Sequence, residues 1–123
     1  MTDPTPTLRT ARNLIAVKGW QRDQLGSPFA GYSLDGAIWD AAGLLLPDGR
    51  LVEHPSTPAE QRGYRAATAA FAVLAAELGD RDVQPRRAFA VVAEWNVYEP
   101  AGVADVLAVL DVAIAHAATE LAA

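Results

Sequence analysis

The segment from Thr57 to Gly79 constrains the fold most, because it carries a complete set of helix start and stop signals. Thr57, Pro58 and Glu60 have the spacing of a capping box with a proline in the first helical turn. Gly79 is a typical residue for ending a helix. The apolar residues between these signals recur every three or four positions, as one helix face requires: Tyr64, Ala67, Phe71, Leu74 and Leu78. The segment therefore predicts one long helix, with alanines around its apolar face.

The same signals predict four further helices. Periodicity indicates helix 1 over 7–18, helix 2 over 34–42 with Ser33 as its N-cap, helix 4 from Pro85 to Trp95 and helix 5 over 102–121. Residues 44–53 alternate around a Pro-Asp-Gly turn and predict a short β-hairpin between helices 2 and 3. Residues 80–84 are expected to form a charged turn, and residues 1–6 a loose tail. The prediction is one all-α domain of five helices, residues 1–123.

Helices 4 and 5 are predicted to organise the packing of the others, since both carry wide apolar faces. Phe89, Val92 and Trp95 share one face of helix 4, so Trp95 is expected to be largely buried. Helix 5 has a main apolar stripe, while Val109 and Val112 lie off that stripe. One interpretation is a homodimer that buries these valines between two copies. The other is that helix 5 is the central helix of the bundle, covered on all sides.

Composition excludes several classes of protein. The chain has no cysteine, so thiolate catalysis and thiolate metal sites are excluded, and His54 and His116 are isolated, so no metal site is predicted. A net charge of -5 argues against nucleic acid and anionic membrane surfaces as partners. We see neither a signal peptide nor a run of apolar residues long enough to span a membrane. We therefore expect a soluble, cytoplasmic protein, and no cofactor is predicted.

Aromatic residues at helix ends and in loops are the strongest candidates for a site. One interpretation is a pocket whose aromatic walls and amide hold a small flat ligand. The other is that the rings fill the core and tether the loops, and that Asn96 ends helix 4 in a left-handed conformation. The candidate ligand-binding residues are Trp20, Tyr32, Trp39, Trp95, Asn96 and Tyr98.

Four carboxylates lie near these aromatic residues: Asp35, Asp40, Glu94 and Glu99. A carboxylate in an apolar cleft has a raised pKa and can transfer protons. Neighbouring residues on a helix point in different directions, however, so each acid is expected to be solvated at the surface. Asp35 is the candidate that we retain as a catalytic acid or base.

Three short motifs give the chain a family resemblance. They are Gly19-Trp20 after the first helix, Gly36-Ala37-Ile38, and Trp95-Asn96 before the last helix. Together they resemble a family of small actinobacterial helical domains of unknown function, and the resemblance spans nearly the whole chain. Family members tend to continue Trp-Asn with Asp and a Pro-Gly-Arg-Thr-like helix start, which residues 97–102 replace here. The resemblance implies a helical fold and supplies no reaction.

Two functional hypotheses follow from these patterns. The first is a small-molecule-binding helical domain with an aromatic-lined pocket, whose catalytic version would be a cofactor-independent enzyme of specialised metabolism. The second is a protein-interaction or dimerisation module without catalysis that docks through the last helix. A cavity of about 300 Å³ or more lined by aromatic residues would favour the first hypothesis.

Overall fold

The computed structural model describes residues 2–80 and 84–122, and within them the chain forms five helices. They are α1 (Thr5–Lys18), α2 (Leu34–Ala41), α3 (Pro58–Glu77), α4 (Pro85–Tyr98) and α5 (Val103–Ala122). Two short strands, β1 (Gly26–Ser27) and β2 (Gly31–Tyr32), pair antiparallel in the loop between α1 and α2. The prediction of an all-α domain of five helices is confirmed for this part of the chain.

The predicted capping signals form as expected. The backbone N–H of Glu60 donates to the Thr57 hydroxyl at 3.1 Å, and the N–H of Thr57 donates to the Glu60 carboxylate at 3.2 Å. The Ser33 hydroxyl accepts from the N–H of Gly36 at 3.0 Å, so Ser33 caps α2. These bonds satisfy N–H groups that a helix start otherwise leaves without partners, which explains why sequence placed both helix starts correctly.

Two predicted helix boundaries were wrong, and one predicted turn lies partly outside the described residues. α1 begins at Thr5, so the last two residues of the predicted tail are helical, with Pro6 in the first turn where its missing N–H is not needed. α4 continues to Tyr98 instead of ending by Trp95, because the apolar periodicity gives no stop signal there. Residues 81–83 of the predicted charged turn lie outside the described residues.

The predicted hairpin between α2 and α3 is present as a tight turn with a single antiparallel pair. Leu45 pairs with Leu51, and the N–H of Gly49 donates to the carbonyl of Leu46 at 2.9 Å. Gly49 has a φ of 87°, a conformation that glycine adopts without steric cost. The second arm of this hairpin, residues 51–53, borders a cleft between helices.

Each of α4 and α5 packs against two of the other three helices. α4 packs against α3 and α2, and α5 packs against α1 and α3. Among the described residues, no helix combines the length and the apolar character that a bilayer span needs. The largest fully buried apolar side chains come from every helix and from the loops on either side of α2: Tyr32, Phe71, Leu8, Ile15, Leu34, Ile38, Leu44, Leu74, Leu110, Val92 and Val106.

Two helical glycines let neighbouring backbone approach closely. A Cβ atom at Gly36 would lie 1.8 Å from the carbonyl oxygen of Leu25, in the loop before α2. A Cβ atom at Gly63 would lie 2.2 Å from the carbonyl oxygen of Ala42. Glycine is a poor helix former, so its presence inside α2 and α3 is explained by these contacts and not by local preference.

Candidate ligand-binding cleft

Four aromatic side chains from three helices meet on one side of the domain. Trp39 of α2 has its ring centroid 5.0 Å from that of Phe71 on α3 and 5.5 Å from that of Phe89 on α4. Phe71 and Phe89 meet edge to face at 5.4 Å. Tyr64 of α3 lies 6.3 Å from Trp39 with the ring planes 25° apart. These separations are typical of favourable aromatic pairs, and we call the four rings the aromatic cluster.

The aromatic cluster forms the wall of a cleft of about 360 Å³, which we call the aromatic cleft. Its volume falls within the ~300–1,000 Å³ that is usual for small-molecule sites. The polar side chains among its lining residues are few. The lining residues are Trp39, Leu51, Val52, Glu53, Tyr64, Thr68, Phe71 and Phe89.

Helical spacing on α3 explains how one face of the cleft is built. Tyr64, Thr68 and Phe71 follow one another at intervals of four and three residues, so they lie on one side of the helix. Phe71 is 2% exposed and Tyr64 is 46% exposed, so this row runs from the core to the solvent. The Thr68 hydroxyl donates to the carbonyl of Tyr64 at 2.8 Å and is therefore already used within the helix.

The indole of Trp39 carries an unused hydrogen-bond donor. The side chain is 9% exposed, and its Nε1 atom is buried with no hydrogen-bond partner among the described residues. A buried polar group without a partner costs about 1–3 kcal/mol, so such groups in native proteins call for an explanation. This loss of stability is explained if Trp39 occupies its position for a reason other than stability.

Asn96 is buried on α4 and joins it to the loop after α1. Its Oδ1 accepts from the indole N–H of Trp20 at 2.6 Å and from the backbone N–H of Leu34 at 2.9 Å. Its Nδ2 donates to the carbonyl oxygens of Gln21 at 3.4 Å and Arg22 at 3.2 Å. We call this arrangement the Asn96 clamp. All donors and acceptors of the amide are used, so the clamp orders the loop and leaves no free group for a ligand.

Arg22 strengthens the same junction from outside. Its guanidinium donates to the carbonyls of Val97 and Pro100, both at 2.7 Å, and lies 4.9 Å from the ring centroid of Trp20. A cation at the C-terminal end of α4 complements the partial negative charge of that helix end, and it also favours the face of an indole ring. The alternative in which Asn96 ends the helix in a left-handed conformation was wrong, since no described non-glycine residue has a positive φ.

Tyr32 and Asp40 form a part-buried hydrogen bond. Tyr32 is fully buried, and its hydroxyl donates to the Asp40 carboxylate at 2.6 Å. Burial, and then the bond to Asp40, raise the pKa of Tyr32 above its ordinary value. The phenol is thus held neutral, and it ties the end of the loop between α1 and α2 to α2.

Asp35 is buried, which corrects the expectation of a solvated acid. It is 7% exposed, and burial raises its pKa above the ordinary value, while a hydrogen bond with Ser33 and backbone N–H groups oppose the shift. Asp40 is half-buried against Tyr32, whereas Glu94 and Glu99 are exposed as expected. Asp35 does not belong to the lining of the aromatic cleft.

Trp95 and Tyr98 lie beside a second, more polar cleft of about 350 Å³. Trp95 is partly buried and packs against the core, whereas Tyr98 is 75% exposed. Residues 81–83, which follow the lining residue Asp80 in the sequence, are outside the described residues. Its lining residues are Leu78, Gly79, Asp80, Val91, Glu94, Trp95, Tyr98 and Glu99.

The predicted ligand-binding residues are thus distributed over several places. Trp20 and Asn96 meet in the Asn96 clamp, Trp95 and Tyr98 share the second cleft, and Trp39 is the member that lines the aromatic cleft. Sequence reasoning did not select the other aromatic lining residues, because Tyr64, Phe71 and Phe89 fitted helix faces expected to be core. The signal in the sequence that could have pointed to the cleft was Tyr64, a tyrosine at the solvent end of the apolar face of α3.

Metal ligands are not assembled in the described residues. Residues 2–80 and 84–122 contain no group of three or more histidine, aspartate or glutamate side chains that could hold an ion. His116 pairs with Glu77 across α5 and α3 at the surface.

Fold and cleft together define a small helical domain with an aromatic-walled groove between three of its helices. The chain belongs to a family of unknown function, DUF6197, whose model matches residues 1–116. Neither the comparison with curated proteins nor the comparison with solved structures gave a match. Membership in a family of unknown function agrees with the resemblance seen in the sequence, while the actinobacterial source and the short motifs of that family stay predictions.

Proposed function

We propose that this domain binds a small, flat, largely apolar molecule in the aromatic cleft. The observation that carries the proposal is the aromatic cluster around a space of about 360 Å³. Pockets for small molecules are mostly apolar, with a few polar groups that fix the orientation of the ligand. The unpaired indole N–H of Trp39 is buried, so a ligand acceptor would pair with it only after a local movement exposed it.

The ring geometry favours a flat ligand over a globular one. The centroids of Trp39 and Tyr64 are 6.3 Å apart, and their planes are within 25° of parallel. A planar ring between two others needs about 7 Å between the outer planes, twice the ~3.5 Å contact distance of carbon atoms. The two planes lie no further apart than their centroids, so the side chain of Tyr64, which is 46% exposed, would have to move away from Trp39 to admit such a ring.

Binding without covalent chemistry is the version that we propose. Asp35, the predicted acid or base, is not a lining residue, and Glu53 is exposed to solvent. A general acid or base needs to lie within hydrogen-bond reach of the reacting atom. The lining residues instead provide apolar contact area, the shape of the cleft and one carboxylate, that of Glu53.

Tyr64→Ala is expected to weaken the binding of tryptophol, a neutral indole with a short side chain, about tenfold, because one aromatic wall is worth roughly 1 kcal/mol or more. The measurement is a titration followed in ¹H–¹⁵N spectra, where the three tryptophans give indole N–H signals that Trp→Phe variants assign. The Trp39 signal should move most in the wild type.

Tyr98→Ala provides the matched control, since Tyr98 is also an exposed tyrosine but lies outside the aromatic cleft. Its affinity for tryptophol should equal that of the wild type. The proposal is wrong if no flat apolar probe binds up to millimolar concentration, or if Tyr64→Ala and Tyr98→Ala have the same effect.

A second candidate function, docking through α5, is favoured by exposed apolar residues on that helix. Val103 is 42% exposed, Val112 is 46% exposed and Leu121 is 55% exposed. Val109, however, is half-buried and packs against the core. The apolar surface left for a partner is therefore narrower than the sequence indicated, and α5 also has an exposed face, so it is not covered on all sides.

Under this second candidate, the wild type is expected to sediment as a dimer and Val112→Glu as a monomer of unchanged thermal stability. The reason is that a charge placed at an exposed valine disrupts apolar docking without entering the core. Val109→Glu should instead lower the melting temperature, since its side chain contacts the core. A wild type that sediments as a monomer at high micromolar concentration would rule out docking between two copies.

A further inference from the structure

We infer that the aromatic cleft selects flat ligands that carry a positive charge, such as an aromatic ring with a protonated alkylamine side chain. The inference rests on the proposed function and adds the charge of the ligand to it. It depends on Glu53 at the edge of the cleft and on the faces of the aromatic cluster. The aromatic cluster serves both proposals, whereas Glu53 is not needed for the binding of a neutral flat molecule, so charge selection can fail while the proposed function holds.

Glu53 is the charged residue among the described lining residues of the aromatic cleft. The ion pairs within the described part of the chain join Arg12 to Asp111, Arg50 to Asp48, and His116 to Glu77, so Glu53 takes part in none of them. Arg50, three residues before Glu53, is held by Asp48 at 2.6 Å. The Glu53 carboxylate is therefore available to a ligand cation.

The aromatic faces act in the same direction as this carboxylate. The face of an aromatic ring is negative, and tryptophan attracts cations most strongly, followed by tyrosine and phenylalanine. Trp39 and Tyr64 are near-parallel walls, so a protonated amine attached to a flat ring would lie close to at least one face. The whole chain carries a net charge of -5, which adds a long-range attraction for cations.

An anionic ligand would find few hydrogen-bond donors in the aromatic cleft and would be repelled by Glu53. The Thr68 hydroxyl donates to the Tyr64 carbonyl, so this donor is not available to a carboxylate ligand. The Trp39 indole N–H remains as a donor, but a single neutral donor suits an uncharged acceptor such as a carbonyl or a ring nitrogen. Repulsion from Glu53 would further weaken the binding of an anion.

Three probes with the same ring and different charges test the inference: tryptamine, tryptophol and indole-3-acetate. In low salt, the wild type is expected to bind tryptamine about tenfold more tightly than indole-3-acetate, with tryptophol between them. In Glu53→Gln, the ratio of the two affinities should fall to about twofold, while the affinity for tryptophol should not change. About 0.5 M salt should reduce the wild-type ratio in the same way, because Glu53 is exposed.

Glu120→Gln is the matched control, since it removes the same charge from an exposed position on α5 outside the aromatic cleft. It should keep the wild-type preference. If all three probes bind equally and Tyr64→Ala weakens all of them, the cleft binds flat ligands but charge selection is wrong. The same conclusion follows if tryptamine keeps its preference in Glu53→Gln or if indole-3-acetate binds most tightly. If none of the probes binds, both proposals fail.

Discussion

Asn96→Ala should lower the free energy of unfolding by about 3–5 kcal/mol, a large part of the ~5–15 kcal/mol that stabilises a typical domain. The substitution removes both acceptor bonds and both donor bonds of the Asn96 clamp. The N–H of Leu34 lies in a buried bond and would lose its partner, and so would the indole N–H of Trp20. Denaturant unfolding with circular dichroism measures the change.

A double-mutant cycle separates the clamp from general packing. Trp20→Phe keeps an aromatic ring and removes one donor, so it should cost about 1 kcal/mol. Combined with Asn96→Ala, it should cost clearly less than the sum, because both variants break the same 2.6 Å bond. Additive losses would show that the two side chains do not act together.

Asn13→Ala is the control for this prediction. Asn13 is exposed on α1, so its replacement should change the free energy of unfolding by less than about 0.5 kcal/mol. The clamp interpretation is contradicted if Asn96→Ala is equally mild. Such a result would mean that solvent reaches the amide and satisfies its partners.

Gly36→Ala is expected to destabilise the domain by about 3 kcal/mol or more, although alanine is the better helix former. The added Cβ would lie 1.8 Å from the Leu25 carbonyl oxygen and 2.6 Å from its carbonyl carbon. Both atoms belong to the backbone, so the loop has to move away from α2. That movement would strain the bond from the N–H of Ser33 to the same carbonyl, which measures 3.2 Å. Thermal or denaturant unfolding of the variant provides the measurement.

Gly102→Ala is the matched control for steric contact. A Cβ at Gly102 would have no atom within 4 Å, and Gly102 has no positive φ. Its replacement should leave stability unchanged or raise it by a few tenths of a kcal/mol up to ~1 kcal/mol, through the entropy of the unfolded chain. A stabilised Gly36→Ala variant would contradict the close approach of loop and helix.

The motifs that carry the family resemblance lie at these structural contacts. Trp20 and Asn96 are bonded to each other, and Gly36 faces the carbonyl of Leu25. The N–H of Tyr32 donates to the carbonyl oxygen of Gly19 at 2.9 Å, which fixes the same loop. These residues thus define how the loop between α1 and α2 joins the helices. The aromatic cleft is formed by other side chains, so the motifs by themselves say little about a ligand.

The sequence alone determined the helices and most of their ends. Thr57 with Glu60 and Ser33 with Gly36 satisfy helix N–H groups within a few residues, and such bonds depend only on neighbours in the chain. Glycine ends a helix by an equally local effect, because it adopts a positive φ that other residues avoid. The φ values are 101° at Gly19 and 98° at Gly79. Local chemistry of this kind can be read directly from residue order.

The tertiary structure decided which of the aromatic and polar residues meet. Asn96 and Trp20 are 76 positions apart, and nothing in either neighbourhood predicts their hydrogen bond. The aromatic cleft combines Trp39, Tyr64 and Phe89 from α2, α3 and α4, and its carboxylate comes from a hairpin. Helix periodicity says that a side chain faces inward, but the crossing of helices determines which neighbours it finds and whether space remains between them. For this reason the rings of Tyr64, Phe71 and Phe89, which the sequence assigned to the core, form the wall of a cleft. For the same reason Asn96, which was expected to end a helix, forms the buried Asn96 clamp.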